Sequence, residues 1–301
     1  MTLQKKATIF ATTTAALLSV IKLIFGVMSG SVAIIASAVD SILDMLISIF
    51  NYFAISNSEK PADSEFNYGR GKIEALAGVI EGTVITISGL FIIYQSIDKV
   101  LEQKVTQHLD NSVVVMVVSF FITLALVIYL NYVAKKTNSL VIKSDALHYK
   151  TDLYSNGAVL VALVVVKFTG WELVDALMGA VIAVYIIYSA YEIIKEGILI
   201  LLDRSIDKEL VAKIRHIIQT QEGVEDYHFL KTREAGKQTF VDVHLVFNTE
   251  ILLLTAHRIS DTIEENIRLL DDKRDWVFNI HLDPYDDSII HKEETDSKSK
   301  N

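Results

Sequence analysis

A membrane-length apolar run from Ser31 to Phe53 carries two carboxylates, Asp40 and Asp44, near its middle. A helix rises about 1.5 Å and turns about 100° per residue, so a spacing of four places both acids on one face, roughly 6 Å apart along the axis. An ionised side chain at mid-bilayer costs on the order of 3 kcal/mol, so two unpaired ones would oppose most of what their apolar neighbours supply. Other parts of the chain must therefore compensate these charges.

A second membrane-length run, from Asp145 to Val166, repeats the pattern with His148 and Asp152 four residues apart. If the two helices pack side by side, three carboxylates and one imidazole converge. That is the number and kind of ligand found in a tetrahedral divalent-metal site. The two pairs predict an intramembrane metal site, with structural polar pairs inside a helix bundle as the alternative. Asp145 follows Ser144 at the predicted helix start, which favours a cap or an interfacial charge over a ligand.

The composition is typical of a membrane protein with a small soluble module. The chain has 301 residues, of which 51% are hydrophobic, too many for one soluble domain of this length. It contains no cysteine, so histidine and carboxylate side chains must hold any metal. The net charge of −9 argues against nucleic acid as a partner.

Hydropathy over a window of about 19 residues predicts six transmembrane helices. Basic residues of the short loops are concentrated on one side, which predicts cytoplasmic N- and C-termini. Gly78 and Gly82 form a small-xxx-small pair where another helix could approach closely. Two ionisable residues also lie deep: Lys22 could snorkel, and Glu81 could belong to a proton path or an internal hydrogen bond. The predicted spans are 7–28, 31–53, 73–97, 112–133, 146–166 and 173–194.

The chain is predicted to divide into three parts. Residues 1–203 form the six-helix transmembrane domain, residues 204–287 a cytoplasmic α+β domain, and residues 288–301 a disordered tail rich in charge and serine. In the α+β domain, the periodicity predicts two helices and three strands. The helices are expected at 205–221 and 252–270, and the strands near 224–232, 239–247 and 276–282.

Five candidate metal ligands fall on different predicted elements of the α+β domain. Two of them, His281 and Asp283, lie two residues apart on one strand, so their side chains share a face. Ordinary surface histidines are the alternative, but the number of histidines in so short a domain favours a second metal site. The candidates are His228, His244, His257, His281 and Asp283.

The motifs Asp40-x3-Asp44 and His148-x3-Asp152 resemble the transport site of the cation diffusion facilitator family, most closely that of its bacterial iron and zinc efflux members. The resemblance extends over nearly the whole chain, to Asp287. It implies a homodimeric antiporter that exchanges a divalent metal for protons. It also implies a cytoplasmic domain with a ferredoxin-like fold, which agrees with the architecture predicted above.

The resemblance assigns roles to further residues. The five ligand candidates of the α+β domain match the family's binuclear zinc site, and Lys72 and Asp203 match a charge interlock between the spans and that domain. Close relatives carry Asp-x2-His-x3-His in the loop between the second and third spans, where this chain has Asp63, Phe66 and Arg70. Two of the three ligands are missing and Arg70 repels cations, so this loop site is predicted to be absent or very weak.

Imidazole together with carboxylates favours Zn2+ as the transported ion, with Fe2+ and Cd2+ as further candidates. Zn2+ is also expected to bind the cytoplasmic domain, and no organic cofactor is expected. The expected function is metal export across the inner (plasma) membrane in exchange for protons, without enzymatic activity. The P-loop motif is absent, which argues against ATP as the energy source, and the HExxH and GxSxG motifs are absent, which argues against an intramembrane protease or lipase. Two alternatives stay open: a membrane-anchored metal sensor or scaffold without transport, and an intramembrane metalloenzyme using a metal-bound water.

Overall fold

The computed structural model describes residues 1–29, 32–102, 113–169 and 173–286. It consists of two compact units, Met1–Ile198 and Leu199–Asn301. The first unit is built from long helices, and the second combines helices with a small sheet. The predicted fold class, a bundle of membrane-length helices followed by an α+β domain, is confirmed. The tail predicted to be disordered, 288–301, lies outside the described residues.

Among the residues that the structure describes, six long helices follow the apolar runs of the sequence. Within the described part of the chain, five of them are long and apolar enough to cross a membrane. The remaining one, α5, carries lysine, aspartate and histidine through its first half and begins before the span predicted from hydropathy. The helices are α1 (Leu3–Ser29), α2 (Val32–Ser58), α3 (Lys72–Glu102), α4 (Val113–Thr137), α5 (Leu140–Thr169) and α6 (Leu173–Leu201).

The packing of the first unit brings the charged faces of α2 and α5 together. α2 packs against α1, α3 and α5, while α5 also contacts α3 and α4. Their common core is apolar and almost inaccessible to solvent, so burial holds the helices in this arrangement. The core includes Ala11, Ile55, Leu126, Leu130, Val141 and Ile142.

Glycines on α3 allow other helices to approach closely, as the spacing of Gly78 and Gly82 predicts. A Cβ atom at Gly78 would lie 2.8 Å from Leu140 Cδ2 on α5. A Cβ atom at Gly82 would lie 2.8 Å from Ile194 Cγ1 on α6. Both distances are shorter than a normal carbon contact, so these two positions leave no room for a larger side chain.

The second unit has a three-stranded sheet with a central β2. Its elements are α7 (Lys208–Thr220), β1 (Asp226–Ala235), β2 (Gln238–Val246), α8 (Leu253–Arg268) and β3 (Asp275–Asp283). β2 pairs antiparallel with β1 and parallel with β3. Each predicted helix and strand of this domain occurs, with bounds that differ by three residues or fewer.

The sheet has one apolar face and one polar face. Val241, Val243 and Leu245 of β2 are buried in a core that includes residues of α7 and α8. Because side chains alternate along a strand, His244 lies on the opposite face. Asp207 caps α7, since its carboxylate accepts a hydrogen bond from the Glu209 backbone N–H at 2.8 Å. The helices therefore cover the apolar face of the sheet, and His244 lies on the opposite face.

Gly197→Ala is expected to destabilise the helix bundle. The added Cβ would lie 2.6 Å from Val79 Cγ2 and 2.9 Å from the Ala75 carbonyl oxygen of α3. A backbone oxygen cannot move without the helix, and overpacking of this kind costs about 1–3 kcal/mol. The midpoint of thermal unfolding in detergent should therefore fall. Gly157→Ala is the control, because its Cβ would meet the Phe120 ring at 3.2 Å and both substitutions gain the same helix propensity. An equal midpoint in the two variants would contradict this account.

Candidate metal centres

A potential metal site lies where α2 meets α5. One ligand atom from each of Asp44, His148 and Asp152 falls within 4.8 Å of the others. His148 Nε2 lies 3.0 Å from Asp44 Oδ1, and these side chains are only 12% and 18% exposed. One imidazole and two carboxylates at this distance suit zinc and related divalent ions. This group is called the intramembrane site below.

Asp40, the fourth predicted ligand, is not part of the intramembrane site. It lies one helical turn before Asp44 on α2, and its side chain is exposed in the single chain. Its charge still acts on Asp152 and Lys22. The structure therefore brings together three of the four predicted ligands, and direct ligation by Asp40 stays a prediction.

Tyr149 fixes the position of α5 next to the intramembrane site. Its side chain is buried, and its hydroxyl oxygen lies 2.9 Å from Ser48 Oγ on α2. Ser48 follows Asp44 by one helical turn, and Tyr149 follows His148 directly. This hydrogen bond therefore joins α2 to α5 close to the level where the ligands meet.

The side chain of Lys22 on α1 contacts α2. The sequence alone allows this lysine to extend towards the membrane surface instead. Its Nζ donates hydrogen bonds to Ser41 Oγ at 2.8 Å and to the Ser37 carbonyl oxygen at 3.4 Å. The carboxylates of Asp44 and Asp152 attract its ammonium group. Lys22 therefore offsets part of the negative charge of the intramembrane site. The feature of the sequence that points to this role is the position of Lys22 deep inside an apolar helix.

The prediction that Asp145 caps a helix is wrong. α5 begins at Leu140, so Asp145 lies in the second turn of the helix and its side chain is fully buried. The helix starts earlier than hydropathy predicts because Val141 and Ile142 pack into the core of the bundle. Glu81 of α3 is buried as well and accepts internal hydrogen bonds, one of the two roles considered for it.

Three histidines form a row across the sheet of the second unit. His228 of β1 is directly opposite His244 of β2, which is directly opposite His281 of β3. Side chains at opposite positions of neighbouring strands lie on the same face of a sheet. The His244 ring centroid is 5.0 Å from that of His228 and 4.6 Å from that of His281. The register of the strands thus assembles residues that are far apart in the sequence.

Asp283 completes this group, which is called the sheet-domain site below. Its Oδ2 lies 2.9 Å from His244 Nδ1 and 3.3 Å from His228 Nε2. Its Oδ1 lies 2.6 Å from His281 Nδ1. Ligand atoms of His228, His244 and Asp283 all fall within 4.8 Å of one another. Asp283 is 4% exposed, so the histidines surround a buried carboxylate, and this donor set fits zinc.

His257 is the one predicted ligand that the structure does not bring to the sheet-domain site. It is exposed on α8, and its Nε2 lies 3.7 Å from Asp261 Oδ2 on the same helix. α8 covers the apolar face of the sheet, opposite to His244, so ligation by His257 stays a prediction. Sequence reasoning missed Asp286, whose Oδ1 lies 3.5 Å from His228 Nδ1. The feature of the sequence that points to Asp286 is its position three residues after Asp283.

In the loop between α2 and α3, the carboxylate of Asp63 makes hydrogen bonds and an ion pair with other residues of the same loop. Asp63 Oδ1 accepts hydrogen bonds from the backbone N–H of Phe66 at 2.8 Å and of Glu65 at 3.0 Å. Its Oδ2 accepts one from Arg70 Nη1 at 2.7 Å, and the Arg70 guanidinium stacks 4.1 Å above the Phe66 ring. The Phe66 N–H and then Arg70 lower the pKa of Asp63 below its usual value. Phe66 and Arg70, which stand where the family resemblance implies histidines, therefore hold Asp63 as an ion-paired carboxylate.

The predicted charge interlock has one residue in each unit. Lys72 begins α3, in the first unit. Asp203 follows α6 in the left-handed region, with φ of 57°, and accepts a hydrogen bond from Arg233 Nη1 at 3.3 Å. Pairing between Lys72 and Asp203 stays a prediction.

Comparison with known proteins supports both units. The cation efflux transmembrane domain matches residues 8–202, and the cytoplasmic domain of cation efflux proteins matches residues 206–285. The chain belongs to the cation efflux family, the cation diffusion facilitators. The resemblance predicted from the two i, i+4 motifs is thereby confirmed.

Similarity to individual family members extends over nearly the whole chain. The sequence is 36% identical to the cation-efflux pump FieF of Klebsiella pneumoniae strain 342 over 282 residues, which is 94% of this chain and 93% of the relative. It is 33% identical to FieF of Serratia proteamaculans over 291 residues, covering 97% and 93% of the two chains. It is 36% identical to FieF of Shewanella oneidensis over 271 residues, covering 90% of each.

Asp63→Ala is expected to leave metal binding by the full-length protein unchanged. Both carboxylate oxygens of Asp63 already accept hydrogen bonds within the loop, from the Phe66 backbone N–H and from Arg70. Isothermal titration with zinc should give the same number of sites and the same affinity as the wild type. His244→Ala is the positive control and should lose binding at the sheet-domain site. Loss of a tight site in Asp63→Ala would show that the loop binds metal.

Proposed function

We propose that this protein exports divalent metal cations from the cytoplasm, Zn2+ foremost, in exchange for protons. The observation that carries the proposal is the convergence of Asp44, His148 and Asp152 from two apolar helices. Ionisable residues inside membrane helices are costly, and they commonly mark the path of an ion. The similarity to cation-efflux pumps supports export as the direction of transport. The match to the Klebsiella pneumoniae pump covers 94% of this chain.

The ligands of the intramembrane site give a physical reason for proton coupling. A histidine binds metal only when its imidazole is neutral, so metal and proton compete for the same group. The reference pKa of imidazole is about 6.5, which lies close to physiological pH. A protonated His148 would keep its 3.0 Å contact with Asp44 as an ion pair and so occupy a ligand oxygen. Alternating access of the helices would then exchange one cation for the other.

Zn2+ is the proposed cargo because the donor set combines imidazole with carboxylates. Fe2+ and Cd2+ are the other candidates, whereas a set of oxygen ligands alone would favour manganese or magnesium. Zn2+ is also proposed to bind the sheet-domain site, whose residues fit it. The match to the cytoplasmic domain of cation efflux proteins supports a homodimer.

The protein is proposed to lie in the inner membrane with both termini in the cytoplasm and no enzymatic activity. A membrane-anchored metal sensor is the second candidate, favoured by the histidine row of the sheet-domain site. A sensor would keep that site but would carry no flux through the intramembrane site, so a transport measurement separates the two.

His148→Ala is expected to abolish proton-driven zinc uptake into inverted membrane vesicles. The substitution removes the only imidazole of the intramembrane site, and loss of a ligand should weaken metal binding by at least about tenfold. Zinc uptake should be followed in vesicles energised to be acidic inside. His216→Ala is the matched control, since His216 is exposed on α7. Uptake by His148→Ala equal to that of the control would contradict the proposed transport site.

A further inference from the structure

A buried group of oxygen atoms lies beside the intramembrane site. Glu81 of α3 is 3% exposed. Its Oε2 accepts hydrogen bonds from Asn51 Nδ2 of α2, at 3.2 Å, and from Ser144 Oγ of α5. Within the described part of the chain, its other oxygen, Oε1, is buried and makes no hydrogen bond. One half of this carboxylate is thus held in place, and the other half has no donor.

Asp145 and Asn51 add three further oxygens of the same kind. The Asp145 side chain is fully buried and lies next to Asn51 and Ser48. Neither of its oxygens makes a hydrogen bond of normal geometry with the described residues, and the same holds for Asn51 Oδ1. Four buried oxygens from α2, α3 and α5 therefore lack donors.

Such an arrangement is costly unless a cation or protons compensate it. A buried polar oxygen without a partner costs several kcal/mol in an apolar medium, and an uncompensated carboxylate costs more. Asn51 Nδ2 already donates to Glu81, and Ser144 Oγ donates to the same oxygen. Asn51 keeps a second N–H, and it and Ser48 lie close to Asp145, but neither makes a hydrogen bond of normal geometry with the Asp145 oxygens. His148 is the neighbouring side chain whose positive charge would attract both carboxylates.

We propose that Glu81, Asp145 and Asn51 form a second divalent-cation site, made of oxygen ligands alone. Asp145 precedes His148 by three residues, about 4.5 Å along α5, on the side of the loop between α4 and α5. Asn51 follows Asp44 by seven residues, about 10 Å along α2, on the side of the loop between α2 and α3. The second site therefore lies between the intramembrane site and one end of the bundle. The proposed orientation makes this the cytoplasmic end.

The second site gives a transported ion a resting position before it reaches the intramembrane site, and in this respect the inference rests on the proposed function. Oxygen ligands without imidazole favour hard ions such as Mn2+ and bind Zn2+ less firmly. An ion path needs such positions, at which binding is favourable enough for entry and weak enough for release. The two carboxylates match the charge of one divalent cation.

Mn2+ binding to the full-length protein in detergent tests this site directly. The background variant is Asp44→Ala with Asp283→Ala, which removes one shared ligand from each of the other two metal sites. Electron paramagnetic resonance of free Mn2+ gives the number of ions bound per chain. Adding Glu81→Gln and Asp145→Asn should abolish the binding of one Mn2+ per chain or weaken it at least tenfold. Each single substitution should weaken it less.

Glu74→Gln is the matched control in the same background. Glu74 is a buried carboxylate on the same helix, but it accepts a hydrogen bond from Ser139 Oγ. Size-exclusion chromatography and thermal unfolding establish that each variant is folded, and the single Glu81→Gln variant serves if the combined one is not. Glu74→Gln should bind as much Mn2+ as the background.

Equal Mn2+ binding with and without Glu81→Gln and Asp145→Asn would overturn the second site. Absence of Mn2+ binding in the background would overturn it too and would indicate that the two carboxyls hold protons instead. These readouts do not depend on transport. A wild type that carries no zinc would refute the proposed function while leaving the Mn2+ result interpretable.

Discussion

The contact between His148 of α5 and Asp44 of α2 is the interaction on which the first unit depends. It places an imidazole 3.0 Å from a carboxylate between apolar helices, where water is scarce. Charges in such surroundings must neutralise one another or bind a cation. With Asp152 next to them, these side chains place one imidazole and two carboxylates within reach of a single metal ion. The side chains that make membrane insertion costly are therefore the same ones that offer ligands to a metal ion.

The surrounding helices are arranged to keep this contact in place. The hydrogen bond between Tyr149 and Ser48 fixes α5 against α2, and the glycines of α3 let α5 and α6 pack closely. Lys22 approaches from α1 and supplies positive charge from the other side. These contacts hold together the helices that carry the ligands. Preorganisation of this kind reduces the ordering cost of binding.

Much of this architecture could be predicted from periodicity alone, since strong apolar runs define the helices and i, i+4 spacing defines a common face. What spacing could not predict is which members of a face converge. Asp40 shares a face with Asp44 but lies one turn away from the cluster. Asp145 was misassigned because a hydropathy window detects where a run becomes apolar, not where a helix begins. His257 could not be separated from the other histidines, because its position depends on which side of the sheet α8 covers.

Metal is proposed to cross the membrane through the site between α2 and α5, driven by protons. The most direct test is zinc flux into proteoliposomes under an imposed pH gradient, comparing the wild type with Asp44→Ala and with Asp63→Ala. We expect gradient-driven flux in the wild type and in Asp63→Ala, and none in Asp44→Ala. Flux that persists in Asp44→Ala would contradict it. A folded wild type that transports no zinc, iron or cadmium would also contradict the proposed transport.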